Sequence, residues 1–214
     1  MVEIYHNRTW DHFTINSQSE QIDIFDYTTT SLMFELWEKA DFCYAVFLHT
    51  SQISLNFVSI AEGVKVRIFA FVPAVVSGNS SLSVTTTLSH SYIDAQIHLI
   101  VIQDKDSRLS LEGSISIEKG VEKVSAHLLE EVLLLEGTSY SRVVPVLNVA
   151  SPDVQASHGA KVHKIPLEQL FYLQSRGLSS VQALQLIISS YRQYILDQFD
   201  LNEEEKTTFT SLVV

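Results

Sequence analysis

The chain has 214 residues, with 14 Lys+Arg against 25 Asp+Glu and a formal net charge of −11. A field of that sign repels phosphate backbones and anionic membrane surfaces, so nucleic-acid backbone binding is excluded, electrostatic membrane binding is disfavoured, and any charge-steered partner is basic. Hydrophobic residues make up 46% and charged ones 18%, which rules out a disordered chain and allows one domain with a sizeable core.

The opening residues, Met1 to Trp10, are polar and aromatic with no basic-then-apolar-then-small pattern. No secretory signal is expected, and a cytoplasmic protein is. The apolar stretches Phe42 to Leu48 and Phe69 to Val76 are the longest. Both fall far short of the roughly 20 residues of a spanning helix, so no membrane anchor is expected. The first holds Cys43, the sole cysteine. One thiol forms no intrachain disulfide, CxxC pair or complete thiolate cage, and in an apolar run it reads as a small buried hydrophobe. Any metal cluster would be shared with another chain.

From Ser51 to Asn148 the dominant pattern is alternation, which places every second side chain on one face of a strand. The sets are Ile53, Leu55, Phe57; Val64, Val66, Ile68; Leu82, Val84, Thr86; and Ala95, Ile97, Leu99, Val101. Leu109, Leu111, Gly113, Ile115, Ile117 and then Val124, Ala126, Leu128 follow, before the solid run Val132 to Leu135. The chain has only seven Gly and four Pro, too few for many tight hairpins. The breakers are polar corners: Glu62-Gly63, Ser77 to Ser80, Asp104 to Ser107, Glu118 to Gly120 and Glu136-Gly137. Irregularly spaced strands joined by such corners suit either a sandwich or a coiled solenoid, and composition leaves both open.

After Ala150 the period changes. Ser151-Pro-Asp153 breaks the strands, and Pro166 opens a helix with Leu167, Leu170, Phe171 and Leu173 on one face. Arg176-Gly177 closes it. Ser179 or Ser180 caps a second helix running to about Phe199, with Val181, Leu184, Ile187, Ile188, Tyr191, Ile195 and Phe199 as its apolar stripe. Asp200 to Glu205 is an acidic linker that can start a short third helix.

The segment Ser157-His-Gly-Ala-Lys-Val-His163, followed by Leu170-Phe-Tyr-Leu-Gln-Ser-Arg-Gly-Leu178, resembles SufB and SufD, the core proteins of the SUF iron–sulfur assembly machinery. That family carries a His-Gly-Ala element, then Leu-Phe-Tyr-Leu-x-Ser-Arg-Gly-Ile and an amphipathic helix. Upstream it has a Leu-Leu-Leu strand and a Pro-x-Leu strand, here Leu133-Leu-Leu135 and Pro145-Val-Leu147. Fainter likeness reaches back through Glu62-Gly-Val-Lys-Val66, His90, Asp104 to Ser107 and Glu112-Gly113, so it covers roughly residues 50 to 195. SufB-like chains place a Cys and a His-Glu pair at the end of the solenoid, whereas SufD-like chains have His-Gly. This chain has His158-Gly159 and no Cys beyond position 43, so it is similar to SufD.

The resemblance implies a mainly β fold with C-terminal α structure, a right-handed parallel β-helix followed by a small helical region. Residues 1–150 would be the β-helix core with a short N-terminal lead-in. Residues 151–214 would hold the end of the β-helix and the helices. It further implies a SufD-like scaffold subunit that pairs with a SufB-like protein and docks a SufC-like ABC ATPase through its C-terminal helices, with a transient iron–sulfur cluster near the junction of the pair. The chain reads as a short form: family SufD chains are about twice this long and usually begin with a helical region. His163 stands where the family has a second glycine, and Leu147-Asn148 where it has Leu-Glu.

By that resemblance His158 is the candidate cluster ligand, since neutral imidazole binds iron well. Outside it, a lone His before Gly reads as a turn residue bonding a strand end. Phe171, Tyr172, Ser175, Arg176 and Gly177 are the candidate ATPase-docking surface, an aromatic pair beside an Arg being the composition of an interface anchor. His163 reads as structural. The acidic pairs Glu130-Glu131 and Glu203 to Glu205 read as solvated faces, because neighbouring carboxylates on a strand or helix diverge. No nucleophile elbow, Walker loop, zinc-protease helix or dinucleotide turn is present, so no catalysis by the chain is expected. Two alternatives remain: a degenerate stand-alone homodimer without a cluster role, and a β-helix carbohydrate-active enzyme. The second wants acids or Arg residues aligned on one solenoid face and a secreted chain, and neither is visible.

Overall fold

The structure, a computed structural model, describes residues 2–7, 12–25, 30–37, 39–48, 52–59, 61–75, 78–135 and 139–213. The strands are β1 (Glu3–His6), β2 (His12–Ile15), β3 (Gln18–Phe25), β4 (Thr30–Leu36), β5 (Asp41–Leu48), β6 (Gln52–Ser59), β7 (Lys65–Val75), β8 (Gly78–Leu88), β9 (Asp94–Gln103), β10 (Ser107–Ile117), β11 (Val124–Leu134), β12 (Tyr140–Val143), β13 (Val146–Val149) and β14 (Val154–Lys164). Three helices follow: α1 (Leu167–Ser175), α2 (Ser180–Leu196) and α3 (Glu203–Val213). The fold is mainly β with C-terminal helices. Among the described residues no helix is long and apolar enough to cross a membrane. The Glu136-Gly137 corner, Ser77 and Val76 lie outside the described residues.

The chain visits two sheets in turn. One runs β1-β3-β5-β7-β9-β11-β14, the other β2-β4-β6-β8-β10 and then β12, with β13 also on β10. Every ladder among the described residues is parallel, and apart from an irregularity between Val72 and Val75 where β7 meets β9 the alternation stays in register: Ile53 pairs with Leu82, Leu55 with Val84 and Phe57 with Thr86. The same faces therefore meet from strand to strand, and the inward residues fill one apolar layer between the sheets. Phe34 stacks between Phe13 and Phe57 there, with ring centroids 5.1 and 4.8 Å away. These parallel sheets give a β-helix-like arrangement, and the sandwich of antiparallel hairpins is not what forms.

Four corners stack on one another. Lys39, Gly63, Tyr92 and Lys123 each adopt positive φ, from 54° to 74°. Each sends its amide to a carbonyl of the next corner: Lys39 to Glu62, Gly63 to Ser91, Tyr92 to Glu122 and Lys123 to Asp153. The stacked bonds offset the cost of left-handed backbone at three non-glycine residues.

A second apolar layer lies outside the first sheet. Ile22, Ile24, Cys43, Ala45, Phe47, Phe71 and Ile100 point outward yet are buried, because Ile187, Ile195, Phe199 and Phe209 of the helical region cover them. Pro166 is the N-cap of α1, and Gly177 at φ 95° closes it. Ser179 caps α2 in a reciprocal box with Gln182. The helix faces differ partly from expectation. Leu170 and Leu173 pack inward, while Leu167, Phe171 and Val181 are 81%, 73% and 64% exposed.

The acidic pairs also differ. Glu130 and Glu131 are buried, at 0% and 7% exposure, and so is Glu205. The two β11 carboxylates do diverge, but each side of that strand is covered: one by the facing sheet, the other by α2. Glu205 accepts from the amides of Val2 and Asn202, tying the start of α3 to the first strand. Glu203 stays exposed and pairs with Lys206.

Candidate functional site

The first sheet ends at β14. This strand pairs with β11 along its whole length, from Val124↔Val154 to Leu134↔Lys164, and its other edge has no ladder partner among the described residues. In that register His158 lies opposite Leu128, a core residue, so its side chain stands on the inward face of the terminal strand. With no further strand above it, the imidazole is exposed. Its Nδ1 is 3.1 Å from the Pro145 carbonyl. A carbonyl only accepts, so Nδ1 carries the proton and donates, which leaves Nε2 as the nitrogen whose lone pair a metal could take. This is the bond to a strand end expected of a structural histidine, and it is also how a metal-ligating imidazole is oriented.

Among the described residues no group of three or more His, Cys, Asp or Glu side chains could hold a metal ion. Among the described residues His158 offers a single ligand nitrogen. Cys43 supplies none: it is buried in the outer core, where burial pushes the thiol up to about 12.

Phe171, Tyr172, Ser175, Arg176 and Gly177 come together at the C-terminal end of α1. The Arg176 guanidinium carbon sits 5.2 Å from the Tyr172 ring centroid. Ser175 Oγ donates to the Tyr172 carbonyl at 2.7 Å. With Leu167 and Phe171 exposed, α1 presents an apolar face that its own molecule leaves uncovered. No hydrogen bond or ring contact joins His158 to this group among the described residues.

A polar cluster lies between the sheet and α2, and the sequence reading missed it. Glu131 Oε1 accepts from Lys161 Nζ and His163 Nε2, both at 2.8 Å, and from the Tyr191 hydroxyl at 3.3 Å. Burial acts to raise the Glu131 carboxyl, but the Lys161 and His163 hydrogen bonds outweigh it and hold the group below its ordinary value. Burial and the neighbouring Glu131 charge push Tyr191 up to about 12, so its hydroxyl remains a donor. His98 Nε2 lies 3.6 Å from Glu131 Oε2, too long for a hydrogen bond. Burial lowers the His98 pKa, which keeps that imidazole neutral near pH 7. A groove of about 580 Å³ runs beside the cluster, lined in part by His98, His127, Ser157, His158 and Tyr194. No local signal pointed to the cluster. The one departure in its favour was His163, standing where the resembled family has glycine.

Comparisons with known proteins show the family. The family described as "SUF system FeS cluster assembly, SufBD core domain" matches residues 6–191. The chain is similar to the protein ABCI7, chloroplastic, of Arabidopsis thaliana, 27% identical over 108 residues, which cover 50% of this chain and 23% of that protein. It is 33% identical over 96 residues to the iron–sulfur cluster assembly protein SufD of Escherichia coli, covering 45% of this chain and 22% of that one. To SufB of Bacillus subtilis it is 27% identical over 90 residues, covering 42% and 19%. The matched stretches therefore span about a quarter or less of these relatives.

Proposed function

The chain belongs to the SufBD core family of the SUF iron–sulfur cluster assembly system, and from that membership we propose that it is a SufD-like scaffold subunit that pairs with a SufB-like protein and docks a SufC-like ATPase. In this reading the two parallel sheets form a right-handed β-helix. Its free end, with β14 and His158, faces the partner subunit. A transient iron–sulfur cluster is the cargo at that junction, and the His158 Nε2 lone pair is this chain's contribution to holding it. The chain acts as a scaffold, without catalysis of its own, in a reducing compartment such as the cytoplasm.

The observation that carries the docking half is the two-sided character of α1. Leu170 and Leu173 pack on the outer core, whereas Leu167, Phe171 and Tyr172 are 81%, 73% and 55% exposed. Large side chains that a domain leaves exposed in a contiguous patch, flanked by an Arg stacked on Tyr172, are suited to anchoring a partner. His158-Gly159, in place of a His-Glu pair, supports SufD over SufB.

The test is co-purification with a SufC-like ATPase at micromolar concentrations. Binding that falls at least tenfold in Phe171→Ala/Tyr172→Ala supports the reading. No binding by the native chain overturns it.

A further inference from the structure

Apolar contact between α2 and the first sheet is non-directional and fixes the helix less sharply than a polar contact does. One polar contact is directional: among the described residues, Tyr191 to Glu131 is the only side-chain hydrogen bond between α2 and a strand. Glu131 is 7% exposed, and the same oxygen that accepts from Tyr191 also accepts from Lys161 and His163. Both donors belong to β14, the strand that carries His158 and has one edge without a ladder partner among the described residues. Helix α2 and the terminal strand therefore share a single buried carboxylate.

We infer that Glu131 is a positioning residue that ties the placement of α2 to that of β14, so that a shift of the helix is passed to the strand bearing His158. The inference rests on the docking reading only for what moves α2. Removing the carboxylate releases Lys161 to solvent, where its side chain is already 55% exposed, and leaves α2 held by apolar contact alone.

The experiment is amide hydrogen exchange on the full chain. Tyr191→Phe alters α2 and leaves the β14 sequence unchanged. It is expected to speed exchange of the Val154–Lys164 amides at least threefold, and to have no such effect in a Glu131→Leu background. If Glu131→Leu fails to fold, Lys161→Met/His163→Phe, which removes both β14 donors to Glu131, serves as the second background. Exchange in β14 that is unmoved by Tyr191→Phe, or equally moved in both backgrounds, overturns the inference. Adding a SufC-like ATPase separates it from the docking reading. Protection of α1 and α2 with a change in β14 that Glu131→Leu abolishes supports both. Protection of the helices without any change in native β14 overturns the coupling and leaves docking standing. No protection of the helices overturns docking, and the partner-free comparison then decides the coupling by itself.

Discussion

The Glu130 carboxylate on β11 accepts a hydrogen bond from the Gly113 amide on β10, reaching across the interior from one sheet to the other. The glycine makes room for it. A Cβ at position 113 would come within 2.9 Å of Glu130 Oε1 and 2.7 Å of Leu128 Cδ1. Both neighbours are enclosed, so the added methyl has little space to claim. Gly113→Ala is expected to destabilise the protein by about 1–3 kcal/mol, the usual cost of overpacking. The check is a lowered urea midpoint with an unchanged slope. A loss under about 0.5 kcal/mol would mean that the carboxylate simply moves aside.

The same carboxylate makes stability depend on pH in an unusual sense. Burial pushes Glu130 from an ordinary 4.5 up to about 7, outweighing the Gly113 bond that favours the anion. Its Oε2 is buried without a hydrogen-bond partner among the described residues. The folded state thus keeps a proton that the unfolded chain releases, so this group's contribution is fully present below pH 4.5 and is lost as pH rises through 7. The loss is on the order of 3 kcal/mol. Glu131 has the opposite sign, being held below its ordinary value, so the native profile alone mixes the two. Subtracting the profile of Glu130→Gln, which keeps an acceptor for Gly113, isolates the Glu130 part. The native chain should lose stability relative to that variant between acid and neutral pH, and a constant difference would sink the assignment.

Strand faces were legible because the inner layer is a plain alternation: Leu109, Leu111 and Ile115 are buried while Ser110, Glu112 and Ser114 are less so. On β5 that signal vanishes. Phe42 through Phe47 are all buried, one set by the facing sheet and the other by the helices, so the run is solid and carries no face. Corners were faint for another reason, since Lys39, Tyr92 and Lys123 hold the left-handed conformation that glycine usually announces. The motif residues His158 and Phe171 to Gly177 were found through resemblance. The Glu131 cluster was not, because its partners lie 30 to 60 positions away in sequence. Carboxylates at 130 and 131 look solvated until Gly113 and Tyr191 are placed beside them.

His158 allows stability and cargo binding to be separated. The side chain is exposed and, among the described residues, makes one hydrogen bond, to the Pro145 carbonyl. His158→Ala should therefore change unfolding free energy by no more than about 0.5–1 kcal/mol. If Nε2 holds iron at the junction, the same change should lower cluster-dependent visible absorption severalfold after anaerobic co-expression with SufB-like and SufC-like partners. His158→Cys, which offers a thiolate, should restore part of it. Absorption equal to native in the alanine variant would remove His158 from the ligand set while leaving its structural bond intact.

Cys43 reports on the seating of the helices. Its Sγ lies 4.0 Å from the Gln198 carbonyl, within the outer core that includes Phe199 and Phe209. With the thiol pushed up to about 12, mainly by burial, on the order of one thiol in ten thousand is ionised near pH 8, and only the thiolate reacts. Access requires the segment after α2 to lift. Iodoacetamide labelling of the native protein should therefore be at least about 100-fold slower than of the urea-unfolded chain. Phe209→Ala removes the ring 4.8 Å from Phe47, and should speed labelling by more than its effect on global stability accounts for, because opening there is local. Labelling at the unfolded rate in the native chain would show that the helices do not cover this sheet in solution.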